Sequence, residues 1–333
     1  MAKPPTFDPY SLVFGGSGFL GAPLMRRLEA GPGRATSVSR SVLLDLSPAA
    51  SQILVDLANA PGRAARLIQQ ERPDHVYFLT ALSRVGDCER DPQLAHDLNV
   101  RLPGEVAAAS AKLGARLIAI STDLVFDGTP PRPSGYVETD VPKPSHVYGE
   151  TKAAGEAAVL DAYPSATVVR LPLLFGDSVD RGLGASDSLV HALEQGESPT
   201  LFTDEWRTPL DVDVAARALI ELASQPQAGI LHVGGADRVH RQELAECVLV
   251  HLRRAEPRRP YRKSPRRPPV ELDAWRSRLK AGKRADLGME DRPADVSLDS
   301  SLAASLLSTR LPGVREWATS HGRLDGPDGR DSS

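Results

Sequence analysis

Cysteine is scarce in this chain of 333 residues, which has two, Cys88 and Cys247. Two thiols cannot build a disulfide framework or an all-cysteine zinc site. A long apolar run is also missing, because no stretch reaches the roughly 18 consecutive apolar residues of a membrane-spanning helix, and the first residues show no signal-peptide pattern. These absences predict a cytoplasmic protein that does not insert into a membrane.

An excess of charge of one sign is lacking as well, since 43 acidic residues nearly balance 40 basic ones and leave a net charge of −3. Such a balance is not typical of proteins that wrap nucleic acid or coat a membrane. Aromatic residues make up 5% of the chain, so the core must come mainly from Ala, Val, Leu and Ile. The eight histidines show no metal-binding spacing, and we expect no metal site.

Short aliphatic runs alternate with longer helical patterns in the first half of the chain. The runs predict strands at 10–14, 36–39, 53–55, 74–79, 116–121 and 166–170. Apolar residues that return every three or four positions predict helices at 19–30, 62–71, 92–113 and 146–162. Because parallel strands need crossover connections, this alternation predicts a doubly wound α/β fold with a parallel Rossmann sheet.

The second half of the chain predicts a smaller mixed α/β domain. In this half of the chain the predicted helices lie at 187–196, 212–224, 241–254, 271–281, 299–307 and 313–319, and the one clear strand at 229–233. We expect an NAD(P)-binding domain made of 1–175 with 209–235, and a substrate-binding domain made of 176–208 with 236–318. The Arg/Pro-rich residues 253–270 predict an extended solvated segment, and 319–333 a disordered tail.

A glycine-rich turn, GGSGFLG, follows the first predicted strand and opens the first predicted helix. It spaces Gly15, Gly18 and Gly21 three residues apart. In a dinucleotide-binding turn such glycines permit a tight turn, close approach of a pyrophosphate to backbone N–H groups, and close packing of helix on strand. The alternative is a glycine-rich turn without a ligand.

The residues after the second strand indicate which dinucleotide binds. An acidic side chain there would accept a hydrogen bond from a ribose 2′-hydroxyl, whereas an arginine would pair with a 2′-phosphate. Ser39 and Arg40 stand there without a carboxylate, which favours NADP(H) over NAD(H) unless Arg40 is merely solvated. Asp56 is placed to contact an adenine amino group or to cap a loop. The predicted cofactor-binding residues are Gly15, Ser17, Gly18, Phe19, Leu20, Gly21, Ser39, Arg40, Asp56, Leu57 and Lys152.

Two later motifs suggest catalysis. In HVYGETK, Tyr148 and Lys152 stand four residues apart in a predicted helix and share one face. An ammonium favours the phenolate and would lower the tyrosine pKa from near 10. Thr122, in STDLVFDG at the end of the fifth predicted strand, can then hydrogen bond to the same substrate oxygen. The alternative for Tyr148 and Lys152 is a pair on a solvated helix face.

Together these motifs resemble the extended short-chain dehydrogenase/reductases and, within them, the dTDP-4-dehydrorhamnose reductase (RmlD-like substrate-binding) family. The resemblance covers about residues 10–318. It is carried by GGSGFLG, STDLVFDG, YVETDVPKPSHVYGETKAAGE, VVRLPLLFG, FTDEWRTPLDVDVAARAL, GILHVGG and RPADVSLDSS. It implies NADPH-dependent reduction of a keto group on a nucleotide-activated deoxysugar.

The resemblance also implies roles for single residues. Thr122, Tyr148 and Lys152 carry over as catalytic, with Lys152 also holding the nicotinamide ribose. Asn99 falls near a position where the superfamily often has a structural asparagine. The predicted substrate-binding residues are Asp123, Arg170, Arg207 and Thr208.

Other functions stay open at this point. The run from Arg170 to Leu173 has an aliphatic residue where rhamnose-pathway enzymes usually have tryptophan, so the chain also resembles the methionine adenosyltransferase β subunit, an NADP-binding regulatory partner. An NAD-dependent sugar-nucleotide epimerase shares the same three catalytic residues. Leu124 replaces the glutamate of the 4,6-dehydratases, which disfavours dehydration and leaves Asp123 without that role. We expect no nucleic-acid partner, and a homodimer is one expectation.

Overall fold

The fold was obtained as a computed structural model, which describes residues 8–43, 46, 50–130, 132–176, 184–254 and 272–320. The predicted solvated segment lies outside the described residues from 255 to 270, and the predicted tail from 321 to 333. Within the described ranges, no helix has the length and apolar character needed to cross a membrane.

Seven strands form one parallel central sheet. All strands, in chain order, are β1 (Tyr10–Phe14), β2 (Arg34–Ser39), β3 (Ser51–Leu54), β4 (His75–Phe78), β5 (Arg116–Thr122), β6 (Thr167–Leu171), β7 (Leu174–Phe175), β8 (Thr200–Phe202), β9 (Trp206–Arg207), β10 (Leu210–Asp211), β11 (Gly229–His232), β12 (Val239–His240) and β13 (Lys280–Gly282). The central sheet has the order β11, β6, β5, β4, β1, β2, β3. This order reverses between β1 and β4, as in doubly wound folds, so the predicted fold class is confirmed.

Helices connect the strands. They are α1 (Gly21–Ala30), α2 (Arg63–Glu71), α3 (Val85–Arg90), α4 (Pro92–His96), α5 (Leu102–Leu113), α6 (Val147–Ala162), α7 (Ala185–Glu194), α8 (Val212–Ala223), α9 (Arg241–Arg254), α10 (Leu272–Arg278), α11 (Ser301–Leu306) and α12 (Val314–Thr319). Short 3₁₀ turns span Leu57–Asn59, Asp123–Val125 and Arg284–Leu287. The sequence does not predict α3, because six residues are too few to show a helical period.

Both faces of the central sheet are buried. Side chains alternate along β1, so that Leu12 and Phe14 join one core cluster and Val13 joins another. Leu67 of α2 belongs to the first cluster and Leu24 of α1 to the second. A parallel sheet needs helices on both faces for this reason.

The chain returns to the central sheet late in its course. β11 pairs in parallel with β6, with Leu231 opposite Val169, and α8 packs against α1. The remaining strands form two-stranded sheets, and a third core cluster contains Phe175, Leu249 and Trp317. The return interleaves the two halves of the chain; the predicted domain boundaries stay a prediction.

Candidate active site

The glycine-rich turn leads from β1 into α1 at the carboxyl edge of the sheet. Gly15 has a φ of +90°, a left-handed conformation that glycine adopts without a steric cost. A Cβ atom on Gly21 would lie 2.1 Å from the Gly15 carbonyl oxygen, so α1 can approach the turn only with glycine there. Leu20 at the N-cap provides no side-chain hydrogen bond, and the first turn of α1 has no acidic residue. This helix end therefore suits a diphosphate.

The end of β2 lies beside this turn. The Ser41 hydroxyl donates to the Ser17 hydroxyl over 3.1 Å, and the Ser39 hydroxyl donates to the Ser41 carbonyl oxygen over 2.8 Å. Arg40 is exposed. The structure thus brings the predicted cofactor residues of the turn and of the β2 loop together.

Asp56 caps a loop, which was one of its two predicted roles. Its carboxylate accepts from the Ala58 backbone N–H over 3.2 Å and from the Asn59 side-chain amide over 2.9 Å. Leu57 is buried in the core cluster that contains Leu12 and Phe14. A contact from these two residues to adenine stays a prediction.

The predicted catalytic side chains meet where β5 ends against α6. The Thr122 side chain acts to lower the pKa of Tyr148, and Lys152 Nζ donates to the Ile120 carbonyl oxygen over 2.6 Å. Tyr148 is 8% exposed and Lys152 is 6% exposed. The two residues therefore line the inner face of α6 and not a solvated face.

Burial sets the protonation of both groups. It raises the pKa of Tyr148, against the smaller opposing effect of the Thr122 side chain, so the phenol holds its proton at neutral pH. This differs from the expected lowering by Lys152, whose ammonium is bound to the Ile120 carbonyl. Burial lowers the pKa of Lys152 to about 8, while Glu156 acts to raise it.

Asp123, next to Thr122, is part of a buried group of ions centred on Glu205. Its carboxylate accepts from the Thr122 hydroxyl over 3.1 Å and from Arg207 Nη1 over 2.8 Å. Glu205 is fully buried and contacts Arg207 and Arg241 at 3.2 Å each and Arg292 at 3.0 Å.

The charges of this group do not cancel. Three arginines face two carboxylates, and Arg207 Nε is buried without a hydrogen-bond partner among the described residues. Burial alone would raise the pKa of Glu205, but the arginines, Arg207 foremost, hold it at about 2. We call Asp123, Glu205, Arg207, Arg241 and Arg292 the Glu205 cluster.

Two predicted substrate-binding residues are bound elsewhere. Arg170 donates from Nε and Nη2 to the Glu156 carboxylate over 2.9 and 2.7 Å, and its Nη1 lies 3.2 Å from His232 Nε2. Its side chain is 3% exposed, and a contact from Arg170 to substrate stays a prediction. The Thr208 hydroxyl accepts from the Leu298 backbone N–H over 3.1 Å and holds two chain segments together.

Asn99 lies in a π-helical turn, Asp97–Arg101, between α4 and α5. Its amide accepts from Leu82 N–H over 2.9 Å and donates to the Leu82 carbonyl and the Thr151 hydroxyl over 3.1 Å each. It therefore ties the loop after β4 to α6, one residue before Lys152. The sequence predicts one uninterrupted helix at 92–113, whereas the structure has the π turn within that range.

Several groups around the site were not predicted from the sequence. Cys88 on α3 is buried in a cluster with Tyr148. Glu205, Arg241 and Arg292 come together from distant parts of the chain, and the Glu156 carboxylate is bound by Arg170. Only the spacing of Glu156, four residues after Lys152, could have indicated one of them.

Comparison with known proteins gives a family match over most of the chain. The family model described as "RmlD substrate binding domain" matches residues 11–316. The "Probable low-salt glycan biosynthesis reductase Agl14" of Haloferax volcanii is 30% identical over 241 residues, which are 72% of this chain and 79% of that protein. The dTDP-4-dehydrorhamnose reductase of Salmonella typhimurium is 29% identical over 251 residues, 73% of this chain and 78% of that enzyme.

A relative of another kind also matches. Methionine adenosyltransferase 2 subunit beta of Rattus norvegicus is 33% identical over 190 residues, which are 55% of each chain.

Solved structures share the fold. A hypothetical dTDP-4-dehydrorhamnose reductase from Sulfolobus tokodaii has a TM-score of 0.72 and 27% identity, covering 91% of this chain and 96% of that one. A dTDP-4-dehydrorhamnose reductase from Bacillus anthracis in complex with NADP has a TM-score of 0.73 and 20% identity, covering 94% and 97%. MoeE5 in complex with UDP-glucuronic acid and NAD has a TM-score of 0.72 and 23% identity, covering 92% and 96%.

Proposed function

This chain belongs to the RmlD substrate-binding domain family, and its relatives include dTDP-4-dehydrorhamnose reductases. From that premise we propose that it reduces a keto group on a nucleotide-activated deoxysugar with NADPH. The observation that carries this proposal is the burial of Tyr148 and Lys152, 8% and 6% exposed, on one face of α6 that packs against the end of β5. Lys152 lies on the same inner face of α6, so an acid, a second hydroxyl and an ammonium are held together.

The residues present fit a dinucleotide cofactor. The turn from Gly15 to Gly21 would hold the diphosphate against the N-terminus of α1. It has no room for a Cβ atom at Gly21. Ser39 and Arg40, with no carboxylate at the end of β2, support NADPH over NADH. When bound, the cofactor supplies hydride to the carbonyl carbon.

The chain's own residues then manage the proton. Tyr148 holds a proton at neutral pH because burial raises its pKa, and it donates that proton to the carbonyl oxygen. Thr122 orients the Tyr148 hydroxyl, and Lys152 would hold the nicotinamide ribose. The excess positive charge of the Glu205 cluster supports a substrate that carries a diphosphate.

Oxidation of NADPH with a panel of dTDP-4-keto-6-deoxyhexoses tests this function. We expect Tyr148→Phe to lower turnover by about 10²- to 10⁴-fold, because the proton donor is lost. Tyr163→Phe is the matched control, since Tyr163 ends the same helix, and it should retain wild-type turnover. NADPH should be used in preference to NADH. Unchanged turnover in Tyr148→Phe would exclude the proposed mechanism.

A regulatory subunit is the second candidate function, and the 33% identity to methionine adenosyltransferase 2 subunit beta supports it. Tight NADPH binding without turnover across the whole panel would favour this candidate. Purified protein that retains NAD(H) would instead favour an epimerase.

A further inference from the structure

The face of α6 that carries the proposed catalytic residues continues to a third buried side chain, that of Glu156. Tyr148, Lys152 and Glu156 follow one another at intervals of four residues, so they project from one face of the helix. All three are at most 8% exposed. Glu156 has no part in the proposed reaction, although a buried carboxylate is costly unless it is paired.

Each of these side chains meets a consecutive residue of β5. Lys152 Nζ donates to the Ile120 carbonyl oxygen, and the Thr122 side chain acts on the pKa of Tyr148. Between them, the Ser121 hydroxyl donates to Glu156 Oε1. The end of β5 therefore fixes the position of Glu156 relative to Lys152.

Glu156 is held from the other side by a row of residues across the sheet. In the parallel register, Arg170 on β6 lies opposite both Ser121 on β5 and His232 on β11. Arg170 binds both oxygens of Glu156 through Nε and Nη2. Such a two-point contact fixes the carboxylate in orientation as well as in position.

His232 completes the row as a neutral acceptor. Arginine can only donate, so His232 Nε2, at 3.2 Å from Arg170 Nη1, accepts. His232 Nδ1 then carries the proton and donates to the Tyr136 carbonyl oxygen over 3.1 Å. Burial, and then Arg170, lower the pKa of His232 to about 4, so the row carries no second positive charge at neutral pH.

We propose that Glu156, held by Ser121 and by Arg170 backed by His232, is a positioning residue that keeps the Lys152 ammonium, one helical turn away on the same face of α6, in its charged form. Without the Glu156 charge, Lys152 and Arg170 would be two buried cations near each other. The other titratable group that acts on Lys152 is the Cys88 thiol of α3, while Asp123 and Arg207 act on Tyr148. The inference deepens the proposed function and rests on it for the meaning of the Lys152 charge.

Carbon-13 NMR of lysine labelled at Cε reads the charge of Lys152 without any turnover. The chain has seven lysines, and the signal missing from Lys152→Arg assigns the buried one. We expect Lys152 in Glu156→Gln to titrate at least about one pH unit below wild type, because an opposite charge within reach is lost. Glu71→Gln is the matched control, since Glu71 is also a helical glutamate bound to a buried hydroxyl, that of Tyr10, and should leave the titration unchanged.

If Glu156→Gln does not fold, a milder variant tests the same inference. Ser121→Ala keeps the carboxylate charge but removes one of its hydrogen bonds, and it should shift the Lys152 titration downward by less than Glu156→Gln. An unchanged Lys152 titration in folded Glu156→Gln or, failing that, in Ser121→Ala overturns the inference. Wild-type turnover in Tyr148→Phe would overturn the proposed function instead, and the NMR result would still stand.

Discussion

Two buried groups of ions act on the proposed catalytic residues, one on Lys152 and one on Tyr148, and they differ in how their charges are arranged. Behind Lys152, one carboxylate, Glu156, is bound by Arg170, and His232 stays neutral. On the other side, the Glu205 cluster has more arginines than carboxylates, and its member Arg292 is 43% exposed. The group of Glu156, Arg170 and His232 is buried and hydrogen bonded, so it can hold other residues in place. The Glu205 cluster is partly exposed and has excess positive charge, so it can bind an anion.

The largest expected effect is a loss of protein stability when a buried arginine of the Glu205 cluster is replaced. Arg207→Leu leaves Asp123 and Glu205 buried without their shared partner, and we expect a loss of about 3–5 kcal/mol in the free energy of unfolding. Arg292→Leu, which removes a half-exposed partner of the same Glu205, should cost about 1 kcal/mol or less. Urea unfolding of both variants measures the difference. Equal losses of unfolding free energy would show that the buried Arg207 and the half-exposed Arg292 contribute alike.

Acid should act on the two groups in different pH ranges. The folded pKa of His232 is about 4, below its ordinary 6.5, so the unfolded chain binds a proton first and stability falls as pH drops from 6.5 to 4. For Glu205 the folded pKa is about 2 and the ordinary value 4.5, so its loss comes between 4.5 and 2. Each amounts to at most about 3 kcal/mol.

Unfolding free energies of wild type and His232→Asn across this pH range test the assignment. The variant should lose less stability than wild type between pH 6.5 and 4 and keep the dependence below 4.5. If both proteins give parallel curves from 6.5 down, His232 does not carry the effect.

The smallest expected effect concerns anion binding at the open group. Arg292→Leu should weaken dTDP binding several-fold in calorimetry, about 1 kcal/mol, because one partly screened positive charge is lost. Arg310→Leu removes an arginine that is 79% exposed and pairs with Glu316, and it should bind dTDP as wild type does. Equal affinity of the two variants would argue against a diphosphate at the Glu205 cluster.

Local patterns carried much of the prediction. The strands and helices of the first half follow from apolar periodicity, and the Tyr148 and Lys152 pair follows from helical spacing. The Arg170 side chain shows the limit of this approach. Arg170 binds Glu156, a partner on another element that no local pattern specifies.

The sequence by itself determined the α/β fold class, the glycine turn and the face shared by Tyr148 and Lys152, because each depends on residues within about one helix or strand of each other. Only the tertiary structure decided that Ser121, Arg170 and His232 form one row, because that depends on the register of three strands. It also decided that Glu205 meets Arg241 and Arg292, since packing of distant segments alone brings those charges together.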